Sequence, residues 1–258
     1  MAIGVSPDKM VLCANWYTPT RTAEQRWYLR QMVHRLCHFT LAVGIPVVSG
    51  KDSSSGSYRT PDGTYIDVPP TLVPSTLGRM PDVGQIRTKV FAKAGDSLYL
   101  LGPAGMRQSL AGSVATGSAD TQKAARLPYV PDMELLKLWR QVAFARQHLH
   151  SIAAIGEGGA FLQIFHGCYA SGLGAEITAN GMWELLGEGP GNYLVSVADD
   201  EARQIQQRFP EASLHCIGQV TSIPGIKIDD VKSGLILSRD AWPTLVKQWR
   251  SRFEQEVT

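Results

Sequence analysis

The chain has 258 residues, 44% of them hydrophobic and 19% charged, with 25 basic against 23 acidic side chains and a net charge of +2. That composition excludes a largely disordered chain, and the scattered, nearly balanced charges give no basic patch for nucleic acid. No apolar run reaches the length of a membrane span, and the N-terminus lacks the charged-then-apolar order of a secretory signal. A cytoplasmic protein with neither nucleic-acid nor membrane partners is expected.

The start at Met1–Ser6 is abrupt. Met10–Ala14 then reads as a short buried strand, followed by Asn15-Trp16. Thr22 is placed to cap a helix with Gln25 completing a capping box. Apolar residues recur at Tyr28/Leu29, Met32/Val33, Leu36/Cys37 and Thr40/Leu41, a helical stripe that stops at Gly44. Ile45–Ser49 is the next predicted strand and Gly50–Ser57 a loop. Pro61-Asp62-Gly63 is a turn, which makes 57–67 a hairpin or an extended loop, and Thr71–Arg79 a longer strand. The polar stretch Pro81–Ala94 divides the chain into 1–84 and 85–258.

Beyond it, Gly95–Gly102 turns sharply into a buried strand, and Asp132 caps a helix with Leu135, Leu136, Trp139, Val142 and Ala143 on one face. Further predicted elements are a helix over Gly158–Ser171, strands at Tyr193–Val197 and Leu214–Thr221, and a helix at about 199–209 between them. A closing helix over Asp240–Glu256 holds Pro243 in its first turn. The class is mixed α/β in two domains, the first unusually short. Cys13, Cys37, Cys168 and Cys216 are too widely spaced for a zinc knuckle or redox dithiol and read as reduced, packed thiols.

Three segments could carry chemistry. Gly50, Lys51, Asp52 and Ser53, at a strand end, offer backbone amides, an ammonium, a carboxylate and a hydroxyl, a set suited to phosphate. The spacing from Gly44 and the Asp at position 52 differ from a P-loop, and on local chemistry alone an ordinary surface loop fits equally. Gly156-Glu157-Gly158-Gly159 opens a helix, where glycines admit either a ligand or a tight packing contact. Gly187-Glu188-Gly189-Pro190-Gly191 is either a shaped ligand loop or a plain turn. His34 and His38 share a helix face without a third ligand, and Trp139, Trp242 and Trp249 read as core or interface anchors.

In order and at their distances, these segments resemble the second synthetase half of phosphoribosylformylglycinamidine synthase, within the aminoimidazole ribonucleotide synthetase superfamily. The segments that carry the likeness are Leu12–Trp16, Ile45–Ser53, Gly95–Gly102 and Leu110–Ser113, then Gly158-Gly159 with Cys168–Ile177, Glu188–Val195, and Ile217–Val220. The resemblance implies a truncated synthetase-type sheet-and-helix domain followed by an α/β domain of the aminoimidazole ribonucleotide synthetase type. It implies ligation of formylglycinamide ribonucleotide with ammonia, driven by ATP through an iminophosphate, to give an amidine, ADP and phosphate. The family's site would place Gly50 at the nucleotide and Ser53 at the substrate, with Lys51 and Asp52 beside them. Asn15, Glu157, Gly158 and Gly159 are secondary candidates.

The chain also departs from the family pattern. The catalytic histidine and most magnesium carboxylates belong to a region before Met1, so no catalytic residue and no metal ligand is assigned here. Lys51 stands where small-subunit relatives carry a magnesium-holding Asn. Ala153-Ala154 replaces a His-Asp pair, and Gly156 a serine, which weakens the second half's own nucleotide site. ATP and Mg2+ are therefore expected only in a complete enzyme. Its partners would be the missing first synthetase half or a second copy of this chain, with a glutaminase domain or subunit as ammonia source. The other readings are a degenerate, non-catalytic interaction module, and another superfamily member such as a small-molecule kinase, whose acidic N-terminal motifs are absent.

Overall fold

The computed structural model describes residues 2–103, 110, 113, 132–179, 182–210, 212–230 and 235–255. The predicted turn over Leu110–Ser113 lies outside these residues, Leu110 and Ser113 apart. The fold is mixed α/β and forms two compact units, Val5–Gly84 and Gln85–Thr258, the latter including Ala2–Gly4.

In the first unit, β1 (Met10–Tyr17) buries alternate side chains, Met10, Leu12 and Ala14, as the two-residue period of a strand requires. Helix α1 (Ala23–Val43) begins at the capping box read from sequence. Thr22 Oγ1 accepts from the Gln25 amide at 3.1 Å, and the Thr22 amide donates to Gln25 Oε1 at 3.0 Å. It ends at Gly44, whose φ of +73° only glycine adopts without strain. Within the predicted stripe Leu29, Met32, Leu36 and Thr40 are the shielded members, while Tyr28, Val33, Cys37 and Leu41 are exposed.

The chain returns as β2 (Val47–Ser53), parallel to β1, with Ala14 opposite Gly50 and Asn15 opposite Lys51. Here the loop expectation is corrected: Gly50–Ser53 is the second half of an edge strand. Polar, β-poor residues stay extended because β1 supplies a ladder of hydrogen-bonding partners. A hairpin follows, β3 (Ser57–Arg59) against β4 (Tyr65–Asp67), then β5 (Thr71–Gly78) antiparallel to β1. The sheet order is β2-β1-β5.

The second unit contains β6 (Ser97–Pro103), α2 (Asp132–Ala145), β7 (Ser151–Ala154), α3 (Gly159–Ser171), β8 (Gly174–Ala179) and α4 (Met182–Leu186). It continues with β9 (Tyr193–Val197), α5 (Asp199–Arg208), β10 (Ala212–Thr221), β11 (Gly225–Asp230), β12 (Leu235–Ser238) and α6 (Trp242–Gln255). The seven strands run β12-β11-β8-β10-β6-β9-β7, antiparallel except for β8 with β11. Strand alternation divides the apolar residues between two faces. Leu98, Ala153, Ile177 and Leu194 pack with Ala160, Ile164 and Cys168 of α3 and with Trp242 of α6. On the other face Leu101, Ile152, Val195 and Val197 pack with Leu138, Val142 and Ala145 of α2 and with Ala202 and Ile205 of α5. Each buried Leu, Ile or Val among them contributes roughly 1.5–3 kcal/mol by leaving water. The inward edge of α2 differs from expectation: Leu138 is buried and Ala143 exposed.

Several buried polar groups of this unit are matched, although Asn192 Nδ2 and Trp242 Nε1 have no hydrogen-bond partner among the described residues. Asp96 is 1% exposed and both its oxygens accept from His150 Nδ1, at 2.8 and 2.9 Å, while Ser151 and Ser196 bond to each other at 2.7 Å.

Candidate functional site

The register of the three-stranded sheet determines which sequence-singled residues share a face. Asn15 lies opposite Lys51 on β2 and Val73 on β5, and Tyr17 lies opposite Ser53 and Thr71. These odd-numbered side chains of β1 oppose the buried Met10–Leu12–Ala14 face, so Asn15, Lys51 and Ser53 stand together on the open face. Lys51 is exposed, and Asn15 and Ser53 are half-buried. Gly50 and Asp52 have the opposite parity.

Gly50 has a packing reason to be glycine. A Cβ there would lie 2.3 Å from the Ala14 carbonyl oxygen, a distance no side chain tolerates. The remaining features of Lys51 and Ser53, an ammonium and a hydroxyl at an accessible sheet edge beside an amide, suit an anionic ligand with hydrogen-bond acceptors.

A feature missed at the sequence level sits at the end of this strand. Asp67, on β4, collects three donors. Arg21 Nη2 reaches Oδ2 at 2.6 Å, Gln25 Nε2 reaches the same oxygen at 2.7 Å, and Ser57 Oγ donates to Oδ1 at 2.6 Å. The Arg21 guanidinium also lies 3.9 Å from the centre of the Tyr65 ring. The hydrogen bond from Arg21 first, and that from Ser57 second, hold the Asp67 carboxyl below its usual range. Arg21 and Gln25 are 46 and 42 positions away, so no local pattern marked the cluster.

Glu157, Gly158 and Gly159 lie in the second unit. Gly158 (φ +77°) and Gly159 (φ +66°) both occupy left-handed backbone. A Cβ on Gly159 would fall 2.3 Å from the Leu185 carbonyl oxygen, so this glycine admits the start of α3 against α4. The Gly158 amide donates to Glu188 Oε1 at 3.0 Å, and the positive start of α3 therefore faces a carboxylate of the same chain. Ala154, at the end of β7, is exposed and offers no lone pair. Glu157 is exposed.

The donor set of this chain fits ATP in part and magnesium poorly. Lys51, Ser53 and Asn15 match a polyphosphate in charge and donor type. Among the described residues, no three His, Cys, Asp or Glu side chains come together as a ligand set, whereas a magnesium ion needs oxygen donors in near-octahedral array.

The family described as AIR synthase related protein, C-terminal domain, matches residues 93–231, more than half of the chain. The chain belongs to this family. Among sequence relatives of this AIR synthase related chain is the phosphoribosylformylglycinamidine synthase subunit PurL of Prochlorococcus marinus strain NATL2A. It is 27% identical over 231 residues, covering 83% of this chain. The chain spans 28% of that relative's length. Thermotoga maritima PurL complexed with FGAR is similar in fold, with a TM-score of 0.63 and 14% identity over 92% of this chain and 39% of that one. The same protein has been solved complexed with ATP. HypE in the HypE–HypF complex gives a TM-score of 0.64 and 17% identity over 92% of this chain and 79% of that one. Among the described residues no helix is long and apolar enough to cross a membrane.

Proposed function

We propose that this chain supplies one side of the nucleotide and substrate site of an ATP-dependent, amidine-forming ligase of purine biosynthesis, and is inactive alone. The whole reaction takes formylglycinamide ribonucleotide, ATP and ammonia to the amidine, ADP and phosphate. The observation that carries this reading is the shared open face of Asn15, Lys51 and Ser53. Bound ATP supplies the phosphoryl group that makes the amide oxygen a leaving group. Lys51 sets positive potential where phosphate charge gathers, and the Ser53 hydroxyl and Asn15 amide orient acceptors beside it. Magnesium ligands and the proton-transfer residue come from the first synthetase half, and ammonia from a glutaminase domain or subunit, in the cytoplasm.

A second reading is a non-catalytic interaction module. It is favoured by the exposed alanine at position 154 and by Glu188 answering the α3 amide.

Reconstitution separates them. The chain mixed with a first synthetase half, ATP, magnesium, ammonium and formylglycinamide ribonucleotide should form amidine, and neither component should do so alone. In that mixture Lys51→Ala should lower turnover by about a hundredfold, the scale of losing one charge-stabilising group, and Ser53→Ala should lower it as well, both with circular dichroism unchanged. Unchanged turnover removes β2 from the site, and absence of any rescue favours the non-catalytic module.

A further inference from the structure

We propose that Asp67 is a positioning residue: its carboxylate ties the 57–67 hairpin to the start of α1 and so fixes the Ser53–Gly56 exit of β2 beside Lys51. The proposal rests on the reading of the Lys51 face as an anion-handling site.

The argument is one of relative strength. Apart from an isolated bridge between Pro19 and Ser55, the direct holds on the exit segment from the β1 side are long: Thr18 N to the Ser53 carbonyl at 3.5 Å and Thr20 Oγ1 to the Ser54 carbonyl at 3.4 Å. At such lengths hydrogen bonds are weak. From the hairpin side the holds are short. The Ser57 amide donates to Ser55 O at 2.7 Å and the Val68 amide to Gly56 O at 2.9 Å. What anchors the hairpin in turn is Asp67, whose ionised carboxylate takes bonds of 2.6 and 2.7 Å from Arg21 and Gln25 outside the hairpin and one of 2.6 Å from Ser57 within it, each roughly twice the strength of a neutral bond. Gln25 joins the two systems: its carbonyl oxygen completes the capping box while its amide nitrogen reaches Asp67. The tether therefore runs from the first turn of α1, through Asp67 and Ser57, to the residues that follow Ser53. Gly56 permits it, because a Cβ there would meet the Val68 side chain at 2.3 Å.

Asp62 provides an internal control. It carries the same charge on the same hairpin, but among the described residues it accepts from Thr60 and Thr64 within the turn.

The test uses the full-length chain, isotope-labelled for nuclear magnetic resonance, with inorganic tripolyphosphate as probe. Asp67→Asn keeps an acceptor for Ser57 but loses the charge facing Arg21, and Arg21→Ala removes the donor instead. Both variants should exchange the Thr18, Ser57 and Val68 amides about tenfold faster than wild type. Both should also bind tripolyphosphate about tenfold more weakly, with the amides of α1 beyond its first two turns unaltered. Asp62→Ala should do neither. Unchanged exchange in both variants overturns the tether, and faster exchange with undiminished tripolyphosphate binding overturns the positioning role. If wild-type binding of tripolyphosphate is indifferent to Lys51→Ala, the functional reading of the Lys51 face falls, while the exchange rates still decide the tether.

Discussion

Gly50 and Lys51 are neighbours in β2 that answer to different forces. The first is glycine because the β1 backbone passes within 2.3 Å of where its Cβ would stand, whereas Lys51 is exposed on an open face. The thiols show a similar division. Burial pushes the Cys168 thiol up to about 12, so at neutral pH it is protonated and shielded inside the α3 core. Cys37 and Cys216 are exposed. Brief treatment of the native protein with iodoacetamide at pH 8 should therefore modify Cys37 and Cys216 and spare Cys168, as read by mass spectrometry of the peptides. Modification of Cys168 at the rate of the other two would show that the core around α3 opens freely. The expectation that all four are packed thiols is corrected at Cys37 and Cys216, whose side chains are exposed, while Cys168 is buried as expected.

Among the elements, α1 was the most legible, because everything that starts and stops it lies within a few residues: Thr22 with Gln25, then Gly44. The Thr60–Thr64 turn and β9 were legible for the same reason, a local turn signal and a short apolar run. Strand β2 was misjudged at its polar half, since extension there depends on β1. Strands β7, β8, β11 and β12 were not predicted: β7 and β8 are short and Gly/Ala-rich, and β11 and β12 are short strands that pair with each other and, through β11, with β8. Element-level mutations can separate local from tertiary effects. Thr22→Ala should cost about 1 kcal/mol, the ordinary value of a helix cap. Gly159→Ala should cost more, about 2–4 kcal/mol, because it combines a positive φ of +66° with a backbone clash at 2.3 Å. Urea denaturation measures both, and equal costs would show that α3 and α4 can part without penalty.

At the scale of the whole molecule, the first unit leaves an open sheet face bearing Tyr17, Val73 and Leu77, exposed by 43%, 44% and 74%, between edge strands β2 and β5. Unpaired edges and a partly apolar face are where strands and sheets recruit a second chain. The purified chain should associate with itself at high concentration, and adding the first synthetase half should displace that association. Light scattering that reports a strict monomer throughout, with or without the added half, would count against pairing through this face. Lys51 and Ser53 lie on the same face, so a partner seated there would also cover the candidate site.

By itself the sequence determined what short-range chemistry controls: the mixed α/β class, the capped helix, the glycine stop, the hairpin turn, and the ordered motifs that place residues 93–231 in their family. The tertiary structure alone decided that Gly50–Ser53 is strand, that Gly159 serves a backbone contact, and that Asp67 gathers Arg21, Gln25 and Ser57. The reason is physical. Each of these depends on partners brought close by folding from distant points in the chain, and a hydrogen bond or a clash exists only once both atoms have arrived.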